Sequence, residues 1–153
     1  MPRLTWPDLL IEGITPDQCR EWLAPWRGIV AGSVAPVFMN KFGSWFFRRP
    51  AGQVEMFDVF TGELEQVADN PEQLGHHVNE QWWQEAHLFS KLVLQLHEAE
   101  KVPGPAQCYA LCPHPALGGR NPAVGQVIES RFVAITDIIV WQSICAQSLG
   151  MGA

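Results

Sequence analysis

Ser44-Trp45-Phe46-Phe47-Arg48-Arg49-Pro50-Ala51-Gly52-Gln53-Val54-Glu55-Met56-Phe57-Asp58-Val59-Phe60-Thr61-Gly62-Glu63-Leu64-Glu65-Gln66-Val67-Ala68 reads as three strands joined by two turns. Aromatic and β-branched residues fill each run, and Pro50-Ala51-Gly52 and Thr61-Gly62 supply the turn chemistry between them. Connections this short join neighbouring strands only in antiparallel order, so the segment predicts an antiparallel meander.

The flanks are helical. Upstream, Thr15-Pro16-Asp17-Gln18 combines a Thr cap, proline at the first helical position and Gln three residues after the cap. Cys19, Trp22, Leu23 and Trp26 follow at helical spacing, and Pro25 ends the helix near Leu23 or Ala24. A loop with Gly28, Gly32 and Pro36 leads into Val37-Phe38-Met39. Downstream, Asp69-Asn70-Pro71-Glu72 opens a short helix through Leu74 and Val78. From about Gln84 to Glu100, Leu88, Phe89, Leu92, Val93 and Leu96 make one apolar helical stripe. Pro103-Gly104-Pro105 stops it, and Gln107 to Cys112 reads as a fourth strand. Pro113 to Gly119 is expected to lack regular structure, and Pro115, Leu117, Gly118 and Gly119 mark it as a specifically shaped loop. Val127 to Leu149 is apolar nearly all round, with a short extended start near Arg131-Phe132-Val133 and then a buried C-terminal helix.

At 153 residues, the chain fits one α+β domain, 1–153, with an antiparallel sheet of about four or five strands flanked by helices. Residues 1–36 form an N-terminal helical segment and 37–153 the α+β region. Hydrophobic residues make up 47% and charged residues 17%, too apolar for a disordered chain. No apolar run reaches the roughly 18 residues that span a bilayer. The N-terminus lacks a secretory pattern, which gives the cytoplasm as the expected compartment and no membrane partner. The four cysteines, Cys19, Cys108, Cys112 and Cys145, are then expected to be reduced and mostly buried. On one strand Cys108 and Cys112 share a face about 13 Å apart, beyond disulfide reach.

A net charge of -6 argues against direct nucleic-acid binding, which needs a basic footprint. The distribution is uneven. Residues 55–100 carry ten acidic side chains against one basic, whereas 1–54 carry four against six and 101–153 two against three. That middle segment is either a solvated surface or a docking face for a basic protein. Within it, Trp82-Trp83 stands between Glu80 and Glu85, and consecutive helical residues point about 100° apart, so one ring packs inward while the other is free to act as an aromatic anchor.

Candidates for catalysis are thin. Gly118-Gly119-Arg120 lacks the frame of a phosphate loop. Cys108, Cys112 and His114 offer three metal ligands at irregular spacing, and His76, His77, His87 and His97 build no two-ligand helical site. No nucleophile elbow is present. No catalytic or metal-ligating residue is therefore expected.

One ordered set of segments is more specific: Lys41-Phe42-Gly43-Ser44-Trp45-Phe46, Gly52 to Val59, Thr61-Gly62-Glu63-Leu64, Val67-Ala68-Asp69, Pro103 to Tyr109 and Pro115-Ala116-Leu117-Gly118-Gly119. In order and spacing it resembles the C-terminal domain family of type VI secretion immunity proteins that neutralise DNase toxins, a family related to the SUKH immunity superfamily. The likeness runs from about residue 37 to the C-terminus and includes Gln147. It implies an α+β fold with an antiparallel sheet flanked by helices, no cofactor, no catalytic residues, and inhibition by binding a protein toxin.

A nuclease presents Lys or Arg toward phosphate, so an acidic face that mimics that charge suits its inhibitor. The expected partner-binding residues are Glu63, Glu65, Asp69, Glu72, Glu80 and Glu85, with Trp82 or Trp83 as anchor. The alternatives are an enzyme binding a small molecule or metal through Cys108 to Gly119, and an adaptor of a secretion apparatus. Oligomeric state is open, since seven tryptophans and the apolar C-terminal helix serve a core or a dimer interface equally well.

Overall fold

The computed structural model describes residues 4–151. The meander is there: β3 (Trp45–Arg48), β4 (Val54–Asp58) and β5 (Glu63–Ala68) pair antiparallel in sequence order, extended by β2 (Ala35–Asn40) and the two-residue β1 (Leu10–Ile11) into a five-stranded sheet. Trp45 faces Phe57 and Phe57 faces Leu64, while Phe46 faces Met56 and Met56 faces Glu65. Trp45, Phe46 and Phe47 are all fully buried, so both faces of the sheet are covered. That is why the strand reads as a continuous apolar run rather than alternating.

One face carries α2 (Pro16–Leu23), the 3-10 turn Ala24–Trp26 and α6 (Ile138–Ser148). Trp26 meets Phe57 edge-on at 4.8 Å and Trp22 lies 6.5 Å from Trp45. The α2 start follows its sequence: Gln18 N–H donates to Thr15 Oγ1 and Thr15 N–H donates back to Gln18 Oε1. The opposite face carries α3 (Pro71–His77), capped by Asn70, then α4 (Gln81–Trp83) and α5 (Ser90–Glu98), with Trp83 5.6 Å from Phe46. A further helical turn, α1 (Trp6–Leu9), begins at Thr5, whose N–H donates to the Asp8 carboxylate at 2.7 Å. Its Thr-x-x-Asp spacing is a capping signal that sequence reading passed over.

Four expectations need correction. The helix expected over 84–100 is broken: Gln84–Leu88 is a π-turn and Phe89 adopts a left-handed conformation at φ 54° before α5 begins. The break is built in, because Asn40 Nδ2 donates to the His87 carbonyl at 2.9 Å and Phe89 lodges edge-on against Phe42 at 5.4 Å. The strand at Gln107–Leu111, β6, does not join the meander; it pairs with β7 (Val133–Asp137) in a separate two-stranded sheet. Arg131 and Phe132 belong to a 3-10 turn, and β-branched Val133, Ile135 and Thr136 carry the strand on to Asp137. The loop holds one 3-10 turn, Pro115–Leu117.

The C-terminal helix is buried on one side only. Ile138, Trp141, Gln142 and Cys145 face inward, whereas Ile139, Val140 and Ile144 are exposed. Of the four free thiols, Cys108 and Cys145 are buried, Cys19 is half-buried and Cys112 is exposed just beyond the end of β6. Cys112 therefore does not share the buried environment of Cys108. Among the described residues, no helix is long and apolar enough to cross a membrane.

Candidate partner-binding face

The acidic residues are carried by β5, α3 and the start of α4. β5 is an edge strand, and its Glu63, Glu65 and Gln66 side chains are exposed. Charge on an open edge opposes pairing with another strand, which already gives Glu63 and Glu65 a structural role. Glu63 pairs across from Asp58, whose carboxyl is pushed above its ordinary value first by burial and in lesser part by the Glu63 charge. Asp69 Oδ1 accepts from Gln66 Nε2 at 2.9 Å. Glu72 lies in the first turn of α3, where negative charge suits the helix dipole.

The chemistry concentrates around Glu80. Trp82 Nε1 donates to Glu80 Oε2 at 2.6 Å, and His77 Nδ1 lies 3.1 Å from Glu80 Oε1. The indole bond, and after it the histidine bond, holds this exposed carboxyl below its ordinary value. The His77 ring meets Trp82 edge-on at 6.0 Å. Trp82 is 55% exposed and Trp83 1%, so of the two Trp82 alone has the exposure an anchor needs; Trp83 packs inward, its ring tilted against Phe46 and His87. Burial pushes the His87 imidazole down, a shift that the nearby Glu65 charge partly opposes. His77, Glu80 and Trp82 are in contact, while Glu65 and His77 each act on His87; sequence spacing alone did not connect the two histidines to these residues. Glu85 is turned elsewhere, accepting from Gln81 Nε2 at 3.0 Å with Lys91 Nζ at 3.6 Å.

The Cys108 to Gly119 segment is organised around packing. His114 is buried, donates from Nε2 to the Val59 carbonyl at 3.0 Å and accepts at Nδ1 from Ala116 N–H at 3.0 Å. Those two bonds define the neutral Nε2–H tautomer, and burial pushes the imidazole down accordingly. Both nitrogens are committed, Cys108 is in the core and Cys112 is outside it, so the three are not presented together as ligands. Among the described residues, no group of three His, Cys, Asp or Glu side chains is placed to hold a metal ion. Gly119 is fixed by space, since a Cβ there would fall 2.0 Å from the Pro113 carbonyl oxygen. Leu117 is exposed, and Gly118 and Gly119 line a cavity of about 390 Å³ with Arg120 and Arg131.

Gln147, part of the resemblance, is exposed; the structurally decisive glutamine is Gln142. Its Oε1 accepts from Trp26 Nε1 at 2.7 Å and Trp45 Nε1 at 3.0 Å, and its Nε2 donates to the Gly43 carbonyl at 2.8 Å. The signal was a lone Gln inside an apolar run, where an amide is tolerated only if fully bonded. Neither family models nor curated proteins match this chain.

Proposed function

We propose that this protein is a non-catalytic binding protein, a cytoplasmic immunity protein that neutralises a secreted type VI toxin of the DNase class by covering it with the acidic face. The observation that carries the reading is Trp82. A large aromatic ring stays exposed within the acidic sequence segment, and it is oriented there by a hydrogen bond to Glu80 rather than left mobile. An oriented aromatic ring bonded to a carboxylate suits a partner with an apolar notch beside a basic group. The concentration of acidic residues in 55–100 supports a basic protein partner, and the ordered sequence resemblance supports a toxin as that partner.

The test is affinity capture of the tagged protein from its native host at low and at moderate salt, followed by growth of cells expressing the captured protein with and without this chain. A basic secreted toxin, held less tightly at moderate salt and harmless only when this chain is present, is the expected result. Charge reversal at Glu65 and Glu80 together then lowers affinity at least tenfold and flattens its salt dependence. Unchanged affinity and salt response would overturn the acidic face. Recovery of secretion-apparatus components with no effect on growth would make the protein an adaptor instead.

A further inference from the structure

A second set of polar groups lies around Lys41. Lys41, in the turn joining β2 and β3, lines a cavity of about 310 Å³ together with Gln18 of α2, Gln107 of β6, Trp22 and Ile138. Its walls come from parts of the chain far apart in sequence. The orientation of both amides is fixed by backbone donors: Gln18 Oε1 accepts from Thr15 N–H at 3.0 Å, and Gln107 Oε1 accepts from Gly104 N–H at 2.9 Å. Each Nε2 is therefore the free end of its side chain.

Neither Nε2 group nor the Lys41 ammonium donates a hydrogen bond to any described residue, and Lys41 makes no ion pair among them. Half-buried Lys41 is held below its ordinary value by desolvation, with Asp8 as the principal opposing charge. Asp8 is itself engaged by Thr5 N–H and Oγ1. Three residues whose donor groups lack acceptors among the described residues line one cavity, together with Trp22, Ile14 and Ile138 and the acidic Glu12.

We propose that this cavity binds a small organic carboxylate, with Lys41 Nζ, Gln18 Nε2 and Gln107 Nε2 as its donors and Trp22 against its apolar part. One cation with two neutral amides matches a single negative charge shared by two oxygens. Glu12 in the lining and Asp8 nearby oppose a dianion such as phosphate more strongly than a monoanion. The volume lies at the lower end of the range for ligand pockets, which suits a molecule of a few carbons to one ring. The site is independent of the acidic face and stands whether or not that face binds a toxin.

The test is NMR of the side-chain amides, with benzoate and pyruvate as probes and inorganic phosphate as a separate titration. The Gln18 and Gln107 amide signals are expected to move saturably, with a Kd at or below about 10 mM for at least one carboxylate. Lys41→Met weakens that binding at least tenfold and Lys41→Arg largely restores it. Should Lys41→Met fail to fold, Gln18→Glu reads the same point: the new carboxylate keeps an oxygen for Thr15 N–H, preserves the helix start, and repels the ligand. Absence of any saturable shift with either carboxylate overturns the site, and so does tighter binding of phosphate than of both.

Discussion

Two tryptophan networks in this molecule use the same bond in opposite surroundings. In the core, the indoles of Trp26 and Trp45 both donate to Gln142 Oε1, and Gln142 Nε2 donates to Gly43 O. At the surface, the indole of Trp82 donates to Glu80 Oε2 and His77 approaches the other oxygen. Inside, the acceptor is a neutral amide and all its partners are protein; outside, it is a carboxylate and water can replace any partner. A carboxylate at position 142 would have to shed its hydration or its charge, and an apolar residue there would strand two buried N–H groups. The same indole–oxygen bond therefore holds the fold in one place and merely orients a ring in the other.

The largest effect expected from this contrast is at Gln142. Gln142→Leu removes the acceptor of two buried indoles and the donor to a buried carbonyl, and stranded buried polar groups cost about 1–3 kcal/mol each. A loss of roughly 4 kcal/mol or more is expected, read as a fall in the urea midpoint with little change in slope. A loss no larger than that of an ordinary surface substitution would show that water enters the network and that the core amide is dispensable.

Gly43 sharpens the same point from the backbone side. It sits at φ 90°, and a Cβ there would lie 2.8 Å from Trp141 Cδ1 and 2.9 Å from Gln142 Nε2. Gly43→Ala must strain the turn and displace the amide together, at an expected cost of about 2–4 kcal/mol. A double variant with Gln142→Leu should cost less than the two singles combined, because both disturb one network. Strict additivity would separate the turn from the glutamine.

The contrast also marks what was legible in the sequence. The meander, the Thr15 and Asn70 helix starts and the buried face of Leu92, Val93 and Leu96 follow from local spacing and turn residues, and all are present. The left-handed Phe89 is not local: it depends on Asn40, in another strand, reaching the His87 carbonyl. The β6–β7 pairing likewise joins segments more than twenty residues apart, and an apolar run such as 127–149 reads equally as strand or helix. At the candidate face, the acidic residues and one outward tryptophan were legible from composition and helical geometry. Which tryptophan turned out, and that His77 meets Glu80 and Trp82, required the packing of α3 and α4 against the sheet.

A smaller effect tests the buried histidine. His114 is neutral in the folded protein and its imidazole lies below the ordinary value, as does that of His87, in both cases chiefly through burial. The unfolded chain thus binds more protons near the ordinary histidine value of 6.5. Stability is full above that pH and declines as pH falls through the folded-state values. Each such group contributes a slope of at most about 1.4 kcal/mol per pH unit. Urea midpoints measured from pH 7.5 to 5.5 should fall, and His114→Gln should flatten the fall even though it lowers the starting stability. An undiminished slope would assign the acid sensitivity to His87 or to the surface.

The smallest effect on stability is expected at Glu80, and its smallness is the point. Glu80→Gln keeps an oxygen for Trp82 Nε1 and removes the charge, whereas Glu80→Ala removes both. Because the carboxylate is exposed and water substitutes for it, neither variant should measurably shift Tm or the urea midpoint. Their difference should appear in Trp82 itself: the indole N–H resonance stays near its wild-type position in Glu80→Gln and moves toward a solvated value in Glu80→Ala. A clear drop in Tm for either would place Glu80 with Gln142 among the groups that hold the fold. Unchanged stability, with the ring released only in Glu80→Ala, leaves Glu80 and Trp82 as surface residues kept in place for something outside the chain.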